Sequence, residues 1–434
     1  MEPLLPPSED RLMALPDDVL VLILEKLGGG AREAIRTCSL VSRRWSRLPW
    51  LLPEPKISVQ DFLPRGTELH GELALAELGR AMGAFCRAVS SFLSNSNGTA
   101  TTTMTTTGSR CLNLEFVLAN GCLPTIQRLL GGDAGGTAAG KAGALKFSIR
   151  TVAHETDCGE APMRRYARRF ERFMAASSGA FRLLASLELH NLWLGSAGVA
   201  AVLGACPRLQ RLALRHCHTT SADGGRRGEA LVIDDAPALG ELVLQMCFYR
   251  LVELRSAPKL TRLTCDMWSA IGAPLSLTGV PGLETLVLAN PSSASPAAKG
   301  FRLSKLLSNA TSLHCLSLNF HGEKKHFCNG EDYSKERKYS VHWTHSNFRH
   351  NHLKILRVFG FEIEDNKYLT FIKLVMERAS NLKTVVLADE EPCNQCGFAS
   401  DLNSSRCPKN SDEKCFTVKQ LKNELSSSVE IYIR

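Results

Sequence analysis

Two rhythms of apolar residues run along the chain. Near the N-terminus Val19, Leu20, Ile23, Leu24 and Leu27 recur at i, i+1, i+4, i+5 and i+8. That spacing is one broad helical face. Pro16 suits the first helical turn, and Asp17 and Asp18 place negative charge at its positive end. Gly28 to Gly30 stop the helix, and shorter helical pieces are predicted over Ala31–Thr37 and around Val41–Trp45. Leu69, Leu73, Leu75, Leu78, Met82, Phe85, Val89 and Leu93 predict a longer amphipathic helix. Tyr166, Phe170 and Phe173 share one face of another, with arginines opposite.

From Leu184 onward the rhythm changes to period two. The shape L-x-x-L-x-L appears at Leu184-Leu187-Leu189 and returns at Leu209-Leu212-Leu214, Leu239-Leu242-Leu244, Leu283-Leu286-Leu288, Leu313-Leu316-Leu318 and Leu382-Val385-Leu387. Looser copies are Leu260-Leu263-Cys265 and Leu353-Leu356-Val358. Intervals between first leucines are 25, 30, 21, 23, 30, 40 and 29, near a leucine-rich-repeat period with insertions. Each copy predicts a short strand with alternate leucines inward. "CLNLEFVL" and "ALKFSIRT" predict earlier strands of the same array. Ile372, Val375, Met376 and Ala379 predict a late helix, with a strand at Lys383–Leu387.

The opening "LPDDVLVLILEKL…REAIRTCSLVSRRWSRLPW" resembles an F-box, as found in plant proteins. The matching residues are Leu15, Pro16, Val19, Leu20, Ile23, Leu27, Arg36, Val41, Ser42, Arg43 and Trp45. "LVMERA…LK…V…L…PC…C" is similar to the FBD-type C-terminal region of such proteins. The resemblance implies an N-terminal three-helix F-box followed by a leucine-rich-repeat horseshoe, an α/β arrangement. It implies docking on a Skp-type adaptor, and through it a cullin, by Leu15, Pro16, Val19, Leu20, Ile23, Leu27, Val41, Ser42, Arg43 and Trp45. The chain would then be a non-catalytic substrate-recognition subunit of an SCF-type ubiquitin ligase, with repeats holding an unknown target protein. The alternative is a non-degradative scaffold built on the same repeats. The expected organisation is a tail over 1–10, the F-box over 11–50 and a linker helix with a threonine-rich loop over 51–110. Repeats over 111–390 follow, with a polar insertion at 321–352 and the FBD-like region from about 353, then a cysteine-containing tail over 391–434.

Composition narrows the rest. Lys and Arg number 52 against 43 Asp and Glu, a formal charge of +9. The excess is spread out, so nucleic-acid binding is not expected. No apolar run approaches the length of a membrane span. Fifteen cysteines, an odd count without a secretory leader, point to reduced thiols in the cytoplasm or nucleus. The sequons at Asn97, Asn309 and Asn403 are then expected to stay unglycosylated.

Candidate chemistry is sparse. "GGTAAGKA", from Gly135 to Ala142, has the glycine and lysine spacing of a phosphate loop, but Ala142 stands where Ser or Thr would hold magnesium, and a strand follows. Cys393, Cys396, Cys407 and Cys415 are the candidate metal ligands. Their second pair is too widely spaced for a zinc knuckle, so no metal and no cofactor is expected. The six histidines of His321–His352 show no ligand spacing. An enzyme using the cysteine tail would lack an activating base.

Overall fold

The computed structural model describes residues 14–26, 44–45, 48, 51–52, 54–64, 67, 75–95, 111–119, 123–131, 143–154, 158–219, 229–247, 249–266, 275–290, 306–320, 349–361, 366–388, 407–423 and 428–434. Contacts divide the chain into two units, residues 1–154 with 169–184, and residues 155–168 with 185–434.

The first unit holds three parallel strands, β1 (Lys56–Ser58), β2 (Cys111–Val117) and β3 (Ala144–Arg150). Helices α1 (Asp17–Lys26), α2 (Leu75–Asn95), α3 (Leu123–Gly131) and the short α5 (Ser178–Phe181) belong to it; α4 (Glu160–Ala176) begins in the second unit and ends in the first. The core is phenylalanine-rich. Phe116 from β2 meets Phe85 of α2, Phe147 of β3 and Phe173 of α4 at centroid distances of 6.1, 5.8 and 5.6 Å. Two of these contacts are edge-on, the arrangement that ring quadrupoles favour. On the other face Glu115 is 7% exposed and held between Lys56 at 3.0 Å and Arg150 at 2.5 Å. Burial raises its carboxyl pKa, and the two cations outweigh that and hold it below the ordinary value.

The second unit holds nine parallel strands in chain order: β4 (Leu184–His190), β5 (Arg211–Arg215), β7 (Glu241–Gln245), β9 (Arg262–Asp266), β11 (Thr285–Asn290), β12 (Cys315–Phe320), β13 (Ile355–Phe359), β14 (Thr384–Ala388) and β15 (Glu430–Ile433). Their register is constant: Leu187, Leu212, Leu242, Leu263, Leu286, Leu316, Leu356, Val385 and Ile431 form one row across the sheet. From Leu187 to Val385 every member of the row is at most 1% exposed. A one-residue slip would turn such a row to solvent, so the leucine spacing fixes the pairing.

Segments between these strands differ in kind. Helix α6 (Ser196–Ala205) follows β4, and α7 (Asn366–Arg378) follows β13. Between β5 and β11 the chain alternates with a second parallel sheet, β6 (Ala230–Ile233), β8 (Leu251–Leu254) and β10 (Leu275–Ser276), in the order β10-β8-β6. Gly279, just beyond β10, lies so close to this sheet that a Cβ there would sit 1.7 Å from the Arg255 carbonyl oxygen. Helix α8 (Ser411–Lys422) precedes the last strand, capped by Asn410, whose Oδ1 accepts from Glu413 N.

The expected fold class is corrected by these elements. The structure supports an α/β fold of parallel strands, three in the first unit and, in the second, nine in the main set beside the three of its smaller sheet, instead of a three-helix F-box followed by a leucine-rich-repeat horseshoe. The strands begin at Lys56, inside the stretch read as a linker. The leucine pattern dictates the strands alone. It does not dictate the return segments, and the unequal intervals of 21 to 40 residues between copies already differ from a uniform repeat.

Candidate functional site

The polar face of β4, β5, β7 and β9 carries a ladder of charges. Register places Ser186, Arg211, Glu241 and Arg262 in one row and His190, Arg215, Gln245 and Asp266 in another. Between them lie Glu188 and Ala213. Strand alternation sends all of these to the face opposite the leucines. Arg215 Nε donates to Glu188 Oε1 at 2.6 Å, and Arg211 reaches Glu188 Oε2 at 3.7 Å and Glu241 Oε2 at 3.1 Å. Arg215 also donates to Gln245 Oε1, and His190 Nε2 lies 3.0 Å from Glu188 Oε1. Ala213 is fully buried on this face, and both arginines that flank it lean toward one carboxylate.

Electrostatics follow from that packing. Burial would raise the Glu188 carboxyl, and the hydrogen bond from His190 and the Arg215 guanidinium override it, leaving the pKa at about 2. A carboxylate so firmly ionised is a poor general base near neutrality. The side chains of Arg211 and Arg215 are 32% and 31% exposed, so each is held in place and still reachable. Such a surface presents fixed charge at its exposed guanidinium groups.

The ends of the same strands are built alike. Asn191, His216 and Met246, each the first residue after its strand, have φ of 55, 49 and 53°. Their N–H groups donate to the last carbonyl of the next strand, Arg215, Gln245 and Asp266, at 3.0, 2.8 and 3.0 Å. Cys217 and Cys247 follow and donate S–H to strand carbonyls at Arg215 and Gln245. Beyond them, His218 meets the edge of Trp193 at 6.0 Å and of His216 at 5.1 Å, and the Arg164 guanidinium lies 3.9 Å over the Trp193 ring. Burial lowers the His218 pKa to about 4, helped by the neighbouring His216 and opposed by Glu160.

The residues read as an adaptor-docking set lie around α1 and a small local core. Leu20 is fully buried and Trp45 is 6% exposed, packed with Leu24 and Leu48 in a small local core. Leu15 and Ile23 are partly buried against it, Val19 is intermediate and Pro16 exposed. Arg44 ties this cluster together through Asp17 at 2.7 Å and the Leu15 carbonyl at 2.6 Å. The exposed apolar residue of α1 is Leu22, at 57%. Leu27, Val41, Ser42 and Arg43 lie outside the described residues, as do the threonine-rich loop, the glycine and lysine stretch, Cys393 and Cys396. Cys407 is buried, with its thiol 3.9 Å from the Arg434 carbonyl, and Cys415 is exposed on α8. Among the described residues no three metal-binding side chains converge.

Sequence reasoning missed the ladder. Its signal was present as Glu188, Arg211, Arg215 and Glu241 at alternate positions within the leucine strands, charges that register alone brings together.

No family model and no curated protein matches the chain. The resemblance to F-box and leucine-rich-repeat proteins is therefore corrected, and with it the reading as a ubiquitin-ligase subunit or a scaffold built on such repeats. What stands is an α/β fold of parallel strands with a preorganised charged face.

Proposed function

We propose that the second unit is a non-catalytic binding module whose charged ladder recognises an acidic segment of a partner protein. The observation behind this reading is the pair Arg211 and Arg215, both anchored on Glu188 and both one-third exposed. Guanidiniums fixed before binding lose little freedom on contact, and arginine is enriched among residues that dominate interface energies. Exposed Arg262 stands in the same row as Arg211, with Glu241 between them, and the chain's overall charge of +9 favours approach of an acidic partner. The hydrogen-bonded thiols of Cys217 and Cys247 fit work in a reducing compartment such as the cytoplasm or nucleus.

Selection from a displayed random-peptide library tests this. Glu- and Asp-rich sequences should be enriched, with binding that weakens as salt rises. The variant Arg211→Gln with Arg262→Gln should lose the enrichment while keeping its thermal midpoint. Enrichment of apolar peptides, or acidic binding untouched by the variant, would refute the proposal.

A further inference from the structure

We propose that the chain self-associates through β15, two copies pairing their last strands antiparallel about Tyr432. Among the described residues β15 is a sheet edge, hydrogen-bonded to β14 alone. Glu430 N donates to Lys383 O at 2.9 Å and Arg434 N to Leu387 O at 3.0 Å. Backbone groups alternate in direction along a strand, so those of Ile431 and Ile433 face outward. Such a row is a template for another strand.

The sequence of this edge is complementary to itself. In an antiparallel pair centred on Tyr432, Ile431 lies opposite Ile433 of a second copy, and these are the two residues whose N–H and C=O groups point out. Glu430 then lies opposite Arg434 of the second copy, twice by symmetry. Opposed residues in such a pair point to the same face. Exposed Glu430, Tyr432 and Arg434 therefore gather on one side, and the isoleucines of both copies on the other. The isoleucines have reason to be covered. Ile431 and Ile433 continue the rows of Val385 and Leu387, which are fully buried, yet both are only half-buried at this edge. Tyr432 is 47% exposed and its hydroxyl donates to Glu430 Oε2 at 2.7 Å, which holds that carboxylate on the face where Arg434 of the second copy arrives. A strand this short makes a small interface, so the dimer is weak and dependent on concentration.

Sedimentation velocity of the full chain from about 1 to about 100 μM should show a monomer shifting toward dimer. Glu430→Arg alone sets arginine against arginine, and Arg434→Glu alone sets glutamate against glutamate. Each should weaken dimerisation at least about tenfold, because symmetry counts every swap twice. Mixing the two single variants restores both ion pairs and should restore the dimer, as should the two substitutions in one chain. Both substituted residues, Glu430 and Arg434, are exposed, and circular dichroism checks that each variant keeps its fold. A wild-type chain that stays monomeric, a dimer indifferent to the single swaps, or a mixture no better than its components would each overturn the proposal.

Discussion

His216 Nδ1 donates to Asn191 Oδ1 at 2.8 Å, and both residues hold the left-handed backbone that ends their strands, at φ of 49 and 55°. Asparagine tolerates that conformation better than most residues, and its amide here secures the next turn in the series. Met246 adopts the same conformation, at φ 53°, with no such aptitude. Met246→Gly should therefore raise the unfolding free energy by about 0.5–1 kcal/mol, since relief of strain outweighs the added freedom of the unfolded chain. Asn191→Ala should lower it by roughly 1–2 kcal/mol through strain and a lost hydrogen bond. Urea titration of both variants checks the pair; a destabilised Met246→Gly would show that the left-handed turns carry little strain.

The Glu188 ladder makes stability depend on pH. The carboxyl has a pKa of about 2 in the folded chain against an ordinary 4.5. A depressed pKa contributes stability above the unfolded value and loses it as pH falls through the folded one, so the loss runs from about pH 5 down to about 2. The contribution is of the order of 2–3 kcal/mol, allowing for the partly exposed arginines. Glu188→Gln should be less stable than wild type at neutral pH, and the difference should shrink in acid. Parallel melting curves for the two proteins at any pH would contradict the assignment.

Those two features show where the sequence was legible. Alternating leucines located strands β4, β5, β7, β9 and β11 to β14, because a period of two admits one inward face. The helices α2, α4 and α7 were equally readable from their stripes. Strands β6, β8 and β10 were not, since "ALVI" and "LVEL" are four residues each and too short for a period to emerge. The register of the sheet, and with it the meeting of Glu188, Arg211 and Arg215, lies in pairings between distant segments that no local window contains. Within the N-terminal stripe, the meeting of Leu20 with Trp45 and Leu48 is likewise a contact between separated segments that the helical period alone does not give.

Phe116 is fully buried among Phe85, Phe147 and Phe173. Phe116→Ala should cost about 3–5 kcal/mol by opening a cavity that rigid neighbouring rings cannot fill. Phe116→Leu should cost appreciably less. Chemical denaturation followed by circular dichroism separates the two, and equal losses would mean that the ring contacts add nothing beyond volume.

Charge on α1 should act by position. Leu20→Asp places a carboxylate in the local core beside Trp45 and Leu48, at a cost of at least about 2–3 kcal/mol. Leu22→Asp, at a side chain 57% exposed, should be nearly neutral. Hydrogen exchange over residues 14–26 reads the difference directly. Similar protection in the two variants would mean that the Leu20 cluster does not hold the helix.

Gly279→Ala should be among the most damaging small substitutions in the second unit. Its Cβ would sit 1.7 Å from the Arg255 carbonyl oxygen, which is backbone and cannot swing aside. The strands β8 and β10 must then part, and a loss of roughly 2–4 kcal/mol is expected. Full stability in this variant would show that the β10 segment is free to shift.

From β5 to β15, each strand of the nine-strand set pairs with the member of that set that precedes it in the chain, and the widest step in register, Thr384 to Glu430, is 46 residues. A nascent chain emerging from the ribosome therefore never waits for a distant C-terminal segment before an early strand finds its neighbour. Loop closure at these separations is inexpensive, and contacts of short range favour rapid folding. The unit can be laid down strand by strand during synthesis, each finished strand serving as the template for the next.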